Sequence, residues 1–162
     1  VDLAGNPDLL AALTARLAPG GVMRLALYSR AGRRGINACR RWLAATGAGR
    51  DREAIRRLRQ TILAFGPDDP RRDAVRFVDF YSTSECRDML MHEREVQYDL
   101  PEIRGMLHAL LGFELADELR ARFKRACPEA ALDDLDAWHA FEQQAPETFE
   151  AMYVFWVQRP AR

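Results

Sequence analysis

The segment Val22–Ser29 constrains the fold of this chain more than any other feature. It is a short, mostly apolar run that follows the turn residues Pro19-Gly20-Gly21, and such a run is typical of a strand buried on both faces. Phe113–Leu115 is a candidate short strand, and the apolar run Met152–Val157 predicts a strand near the end of the chain. Because a sheet of only three strands needs cover on its faces, we expect helices to pack against it.

Most of the remaining sequence shows helical periodicity. Apolar residues recur at spacings of three and four, from a first helix capped by Asn6 to a late helix that carries Leu135, Trp138 and Phe141. We therefore expect an α/β fold that is predominantly helical by residue count. The length of 162 residues predicts a single domain.

Composition and charge exclude several classes of protein. No run of apolar residues is long enough to span a membrane, so no membrane contact is expected. The 24 basic and 24 acidic residues balance, although residues 1–76 hold 15 Arg against seven acidic residues and residues 77–162 hold the opposite excess. The two halves can neutralise each other in the fold, so the charge does not favour binding to nucleic acid.

The cysteines and the start of the chain bear on its origin. Cys39, Cys86 and Cys127 are an odd number at wide spacing, which does not form a disulfide framework and predicts a reducing, cytoplasmic location. The chain begins at Val1, without a methionine or a signal segment. We expect that its start has been removed or that it is a piece of a longer protein.

Motifs for nucleotide and metal binding are absent from the sequence. Gly47-Ala48-Gly49 follows a helix, whereas a phosphate-binding loop follows a strand. His92, His108 and His139 lie far apart, and there is no C-x-x-C or H-E-x-x-H pattern, so no metal site is expected.

A late helix places three titratable residues on one face. Asp136, His139 and Glu142 are spaced three apart. A di-metal site would need matching ligands on partner helices, which the sequence lacks. A solvated helix face is therefore predicted here.

Two groups of polar residues are candidates for a functional site. Tyr28 and Ser29 end the first strand, and open α/β sheets bind ligands at the carboxyl ends of their strands. The second group lies at a loop-to-helix junction and comprises Tyr81, Ser82, Ser84, Glu85, Arg87 and His92. Helix capping by Ser82–Ser84 accounts for part of this group without any function, so both interpretations stay open.

Several segments, taken in order, carry a family resemblance. Leu17–Ser29 begins with an L-x-P-G-G-type turn, Tyr98–Glu114 contains a helix followed by Leu-Gly-Phe, and Tyr153–Val157 is a terminal apolar run. These segments resemble the fifth strand, the last crossover helix with the sixth strand, and the seventh, antiparallel strand of class I S-adenosylmethionine-dependent methyltransferases. Asp79–Asp88 and Asp134–Glu142 resemble a bacterial subgroup that is often fused to tetratricopeptide repeats.

The resemblance implies a partial Rossmann-like sheet made of the last three strands of that family. It places large helical insertions at about 34–95 and 116–150. The family's glycine-rich loop and its acidic ribose-binding residue, which hold S-adenosylmethionine, are not found in these 162 residues. The chain is therefore expected to be the substrate-side, C-terminal portion of a methyltransferase, inactive by itself.

For the complete enzyme, the resemblance implies S-adenosylmethionine as cofactor, no metal, and a small molecule or a protein as methyl acceptor. Glu85 and His92 are the candidate general bases. The candidate substrate-binding residues are Tyr28, Ser29, Tyr81, Ser82 and Arg87. Without its neighbour, the strand 22–29 would expose an apolar edge, which predicts a homodimer or strand exchange.

Two other functions stay open. The helical insertions could form a protein-interaction module whose arginine-rich face, Arg52–Arg59, docks an acidic partner. The chain could also be an independent hydrolase that uses Ser84 or Cys86 as nucleophile.

Overall fold

A computed structural model describes residues 7–92, 95–107 and 110–161. The chain divides into two compact units. One comprises Val1–Gly32 and Val96–Arg162 and is called the sheet unit; the other, Arg33–Glu95, is called the helical unit. The predictions made for Val1, Asn6 and His108 fall outside the described residues.

Helices and strands alternate along the chain, as predicted for an α/β fold. The α-helices are α1 (Pro7–Ala15), α2 (Arg34–Thr46), α3 (Arg52–Ala64), α4 (Thr83–Met91), α5 (Leu100–Met106), α6 (Asp117–Ala126) and α7 (Leu135–Gln144). Two 3₁₀ helices span Pro70–Arg76 and Val78–Tyr81. The strands are β1 (Val22–Ser29), β2 (Gln97–Tyr98), β3 (Leu110–Phe113) and β4 (Met152–Gln158). No helix in the described part of the chain is long and apolar enough to cross a membrane.

The four strands form one mixed sheet in the order β2-β1-β4-β3. β4 is antiparallel to β1 from Val22↔Gln158 to Tyr28↔Met152, and it is also antiparallel to β3. β2 is parallel to β1, but it pairs only with Tyr28 and Ser29. The outer edge of β1 from Val22 to Leu27 therefore has no strand partner among the described residues.

Two predictions about strands are wrong. β1 is not buried on both faces: Leu27 and Ser29 are buried, whereas Val22 is 48 % exposed and Arg24 is also exposed. The alternation arises because only one face of β1 packs against the core of the sheet unit. The predicted strand Phe113–Leu115 instead spans Leu110–Phe113, and it contains Gly112.

The core of the sheet unit is rich in aromatic rings. Trp138, which is fully buried, stacks on Phe123 with 3.7 Å between ring centroids. Its indole Nε1–H donates to the carbonyl of Leu132 at 3.0 Å, so the polar end of the ring is satisfied. α7 thus presents Leu135 and Trp138 to the core from a single helix face.

The helical unit has a core of its own. Its fully buried members are Ile36, Cys39, Ile55, Ile62, Ala74, Phe80 and Cys86. Burial raises the pKa of the Cys39 thiol to about 12 and that of Cys86 to about 11. A buried thiol with so high a pKa is a poor nucleophile near neutral pH, which speaks against the hydrolase alternative based on Cys86.

Side-chain caps fix the starts of several helices. Asp51 caps α3 by accepting from the backbone N–H groups of Glu53 and Ala54 at 2.9 Å. Ser82 caps α4, within the stretch Ser82–Ser84 that was predicted to cap a helix.

Ion pairs join the two ends of the helical unit. Nη2 of Arg33 lies 2.6 Å from Oε2 of Glu95, and Nη2 of Arg40 lies 2.8 Å from the same oxygen. Arg40 also donates to the carbonyl of Met89, at the end of α4. The unit therefore begins and ends at one buried polar cluster.

The helical unit occupies nearly the stretch 34–95 that was predicted as an insertion. The predicted insertion 116–150 contains α6 and α7, which belong to the sheet unit.

Candidate functional site

The predicted site residues fall on both units. Tyr28 and Ser29 lie at the carboxyl end of β1 in the sheet unit. Tyr81, Ser82, Glu85, Arg87 and His92 lie along or beside α4 in the helical unit.

Ser29 belongs to a buried polar cluster at the end of β1. Its hydroxyl donates to Oε1 of Glu142 at 2.6 Å, and the hydroxyl of Tyr153 donates to Oε2 of Glu142 at 2.7 Å. The backbone N–H of Gly32 donates to the Ser29 hydroxyl at 2.9 Å. Ser29, Glu142 and Tyr153 are each 0 % exposed. The hydroxyl of Ser29 is thus engaged by groups of the chain itself, and its role in binding substrate stays a prediction.

The environment of Glu142 corrects the predicted solvated face of α7. Asp136 is exposed and pairs with Arg104, as a solvated face requires. Glu142, however, faces the core with Leu135 and Trp138 and is completely buried. The hydrogen bonds from two hydroxyl groups replace those that the carboxyl group would make to water.

Burial shifts the titration of this cluster. Removal from water raises the pKa of Glu142, although the hydrogen bonds from Ser29 and Tyr153 act in the opposite direction. Burial also raises the pKa of Tyr153, so that its hydroxyl stays protonated and remains a donor. The cluster can bind a proton, and its hydrogen bonds hold the chain in place after β1. The carboxyl group of Glu142, however, is not accessible from solvent.

Arg30 joins the end of β1 to the start of α5. Its guanidinium contacts Oδ2 of Asp99 and Oε2 of Glu102, each at 2.8 Å, and donates to the carbonyl of Gln97. Asp99 and Glu102 also form a reciprocal capping box, since each side chain accepts from the backbone N–H of the other. The hydrogen bond from Arg30 lowers the pKa of Glu102. Arg30 was not among the predicted site residues.

The turns that follow the described strands do not fit S-adenosylmethionine. A Cβ at Gly32, after β1, would lie 1.8 Å from the carbonyl oxygen of Glu150, so this glycine packs against the chain's own backbone. The N-terminus of α5, after β2, is capped by Asp99 and Glu102. β3 is followed by Glu114-Leu115-Ala116, which contains no glycine. None of these described turns offers a cradle for the cofactor.

A second polar site lies wholly in the helical unit, around the start of α4. It is a cavity of about 440 Å³, lined by Arg50, Arg52, Ile55, Ser82, Thr83, Ser84 and Arg87. The Ser82 and Ser84 hydroxyl oxygens lie 3.2 Å apart. Ser82 and Arg87 were predicted site residues. Arg52 had been assigned only to the arginine-rich face of α3, because nothing local in the sequence shows that α3 and α4 meet here.

The other predicted residues of the helical unit lie outside this cavity lining. Tyr81 is 56 % exposed, and its hydroxyl donates to the carbonyl of Val75 at 3.1 Å. Glu85 is exposed in the first turn of α4, whereas His92 caps the opposite end of that helix. Seven residues of helix separate them by roughly 10 Å along the axis, so the structure does not bring the two candidate bases together.

An apolar groove lies on the sheet unit. It has a volume of about 340 Å³ and is lined by Val22, Leu111, Gly112, Phe113 and Trp156. Leu111 is 51 % exposed and Trp156 is 38 % exposed. Nearby on β1, Arg24 pairs with Glu114 at 2.7 Å in an exposed position.

Among the described residues, no group of three or more His, Cys, Asp or Glu could hold a metal ion. Comparison of the chain with known proteins found no matching family model and no similar curated protein.

Proposed function

We propose that this chain is the acceptor-side, C-terminal portion of an S-adenosylmethionine-dependent methyltransferase, with a partial Rossmann-like sheet. One observation carries the proposal. β4 is the last strand in the chain, yet it lies between β1 and β3 and is antiparallel to both. The family resemblance requires a final antiparallel strand of this kind in a sheet whose other strands run parallel.

The connection between β1 and β3 also supports the proposal. Because both strands are antiparallel to β4, they are parallel to each other. A parallel pair needs a crossover, and α5 directly precedes β3 as a crossover helix would. The helical unit is inserted between β1 and β2, where the resemblance places the first insertion.

In this proposal the cofactor is held by residues outside these 162. Methyl transfer breaks the bond from the sulfonium sulfur to the methyl carbon and forms a bond from that carbon to the acceptor. Much of the rate comes from holding the acceptor in line. The residues proposed to bind the acceptor are Tyr28, Ser29, Tyr81, Ser82 and Arg87, and Glu85 and His92 are the candidate bases.

Calorimetric titration with S-adenosylmethionine tests whether the cofactor site lies outside these 162 residues. The chain of 162 residues should show no saturable binding, whereas the same chain extended by the residues encoded upstream in its gene should bind the cofactor. Micromolar binding by the 162 residues alone would contradict the assignment of the cofactor site. An upstream reading frame without a glycine-rich loop after a strand would contradict the family.

Substitutions in the extended protein test the candidate residues. Glu85→Gln and His92→Asn should each lower kcat and change its pH profile, while the affinity for S-adenosylmethionine stays the same. Glu129→Gln is a matched control, because Glu129 is exposed and lies in the sheet unit after α6. Wild-type turnover in both variants would remove the two residues as bases.

A second candidate function is the docking of an acidic partner on α3. The helical unit has fourteen arginines against ten acidic residues. Arg56 and Arg57 share one exposed acidic neighbour, Glu53, at 3.7 Å from each. Binding of a polyglutamate peptide that is lost on substitution of both arginines by Gln would favour this function over methyl transfer.

A further inference from the structure

We propose that the cavity between the start of α3 and the start of α4 binds a phosphate group. This cavity belongs entirely to the helical unit, and phosphate binding does not depend on the methyltransferase proposal. Its volume of about 440 Å³ accommodates a phosphate together with a small organic group.

The charges that line the cavity point to an anion. Arg52 and Arg87 contribute guanidinium groups, Arg50 also lines the cavity, and none of the described lining residues is acidic. In the described part of the chain, no carboxylate lies within ion-pair distance of Arg52 or Arg87. Positive charges gathered around one cavity repel each other, so a bound anion would relieve that repulsion.

The two acidic residues that flank Arg52 in the sequence, Asp51 and Glu53, are engaged elsewhere. Asp51, next to Arg52, accepts two backbone N–H groups as the cap of α3, and these hydrogen bonds hold the pKa of its carboxyl below the ordinary value. Glu53 pairs with Arg56 and Arg57. On α4, Glu85 and Asp88, the acidic residues nearest to Arg87 in the sequence, are exposed and do not line the cavity. The charges of Arg52 and Arg87 are therefore not neutralised by these neighbours.

The number and kind of donors favour phosphate over carboxylate. Besides the guanidinium groups of Arg52 and Arg87, the cavity lining includes the hydroxyl-bearing residues Ser82, Thr83 and Ser84. A carboxylate offers two oxygens, whereas a phosphate group offers at least three that can accept from different directions. Guanidinium forks match phosphate oxygens in pairs, and the Ser82 and Ser84 hydroxyls, 3.2 Å apart, can each contact one oxygen.

Ile55 gives the cavity an apolar wall. It is fully buried and belongs to the core of the helical unit, yet it also lines the cavity. An apolar contact beside the donors strengthens electrostatic interactions by excluding water from one side. The source of the phosphate, free or esterified, is resolved by the titration below.

The test is a titration of the isotope-labelled full chain followed through its backbone amide NMR signals. The probes are inorganic phosphate, phosphoserine, sodium acetate and a polyglutamate peptide, each at the same low ionic strength. Phosphate should cause saturable shifts at Arg50, Arg52 and Ser82–Arg87, with half-saturation below about 5 mM. Tighter binding of phosphoserine would identify an ester as the preferred form, and tighter binding of inorganic phosphate would identify the free ion.

Substitutions locate the site. Arg52→Gln and Arg87→Gln should each weaken phosphate binding about tenfold, because each removes charge-assisted hydrogen bonds. Arg56→Gln is the matched control: it removes the same charge from the same helix but does not line the cavity. Circular dichroism confirms that each variant is folded, and Arg52→Lys keeps the charge while removing the guanidinium fork.

Four outcomes would overturn the proposal. One is the absence of saturable shifts at about 5 mM phosphate. Another is an equal loss in Arg56→Gln and Arg52→Gln, which would indicate general attraction by the arginine-rich surface. Acetate that binds as tightly as phosphate would also contradict it, and so would polyglutamate that displaces phosphate at lower concentration, which would instead indicate a surface for an acidic protein.

Discussion

Arg33 and Glu95 are the first and last residues of the helical unit, and their side chains meet 2.6 Å apart, between Nη2 and Oε2. Both side chains are almost completely buried, at 6 % and 4 % exposure. The same carboxylate oxygen accepts a second guanidinium, that of Arg40. The entry and exit of a 63-residue segment are therefore joined by a buried acidic group.

Glu95→Ala should destabilise the helical unit by about 3 kcal/mol, because it leaves two largely buried guanidinium groups without their carboxylate. The free energy of unfolding from urea denaturation measures the loss. Glu53→Ala is the control, since Glu53 pairs with two arginines in an exposed position and should cost less than about 1 kcal/mol. Equal effects of the two substitutions would show that burial of Glu95 does not matter.

The segment 33–95 should fold when it is expressed alone. It has a separate core, and its ends are held together by contacts within the segment. Circular dichroism should show a helical spectrum and a cooperative thermal transition. The same segment with Glu95→Ala should melt at a lower temperature. A spectrum without helix for the unsubstituted segment would contradict this prediction.

Gly32→Ala should destabilise the sheet unit by about 2 kcal/mol or more, because the new Cβ would lie 1.8 Å from the backbone carbonyl oxygen of Glu150. Relief of that clash requires movement of a turn in which Glu150 already has a φ of 52°. The substitution should also disturb the hydrogen bond from Gly32 to Ser29. The measurement is again denaturant unfolding.

Gly105→Ala provides the comparison within the same unit. Nothing lies within 4 Å of a Cβ at Gly105, which is in helix α5. This substitution should stabilise the protein by about 0.5 kcal/mol, because alanine loses less backbone entropy in a helix than glycine does. Opposite signs for the two glycines are expected, and a neutral Gly32→Ala would show that the turn at Glu150 adapts without cost.

The buried carboxyl of Glu142 predicts a specific pH dependence. Its pKa is raised above the ordinary 4.5 by burial, so the folded protein binds this proton more tightly than the unfolded chain does. The resulting stability is complete below about pH 4.5 and is lost as the pH rises through the raised pKa. The Glu142→Gln variant, neutral throughout, should lack this decline.

Urea denaturation between about pH 4 and pH 8 tests the prediction. The slope of unfolding free energy against pH should be less negative in Glu142→Gln than in the wild type. Glu129→Gln, which changes an exposed carboxyl of the same unit, should keep the wild-type slope. Identical slopes in all three proteins would mean that Glu142 titrates alike in the folded and unfolded states.

The unpaired edge of β1 predicts association. From Val22 to Leu27 its outer backbone groups have no strand partner among the described residues, and such an edge can pair with another chain. The mass measured by light scattering should rise with concentration. Ala26→Lys should prevent this, because it places a charge on an exposed position of the strand. Gln143→Lys, exposed on α7, is the control, and a wild-type monomer at all concentrations would contradict the prediction.

The limits of β1 were predictable from the sequence because turn residues mark its start and its apolar run is continuous. The last strand was predicted to within one residue for the same reason. β2 was missed because two residues, Gln97 and Tyr98, are too few to show any periodicity. β3 was displaced because a glycine inside a short strand looks like the end of a helix.

The site was harder to predict than the fold. Glu142 has the spacing of a solvated helix face, and its burial depends on Ser29 and Tyr153, which are 113 and 11 residues away along the chain. The cavity at α4 likewise joins Arg52 to Ser82 and Arg87 across a loop and two 3₁₀ helices. Local patterns predict caps and faces, but they do not show which faces meet.

The two edges of the sheet differ in whether another strand can pair with them. In β3 an extra residue, Leu111, interrupts the register with β4, and the neighbouring Gly112 adopts a φ of 143°. Such a bulge bends an edge and spoils its match to an incoming strand. Because only the β1 edge can accept another strand, two molecules can pair through this edge about a twofold axis. The resulting dimer has no free edge of this kind, so it cannot grow into fibrils by further strand pairing.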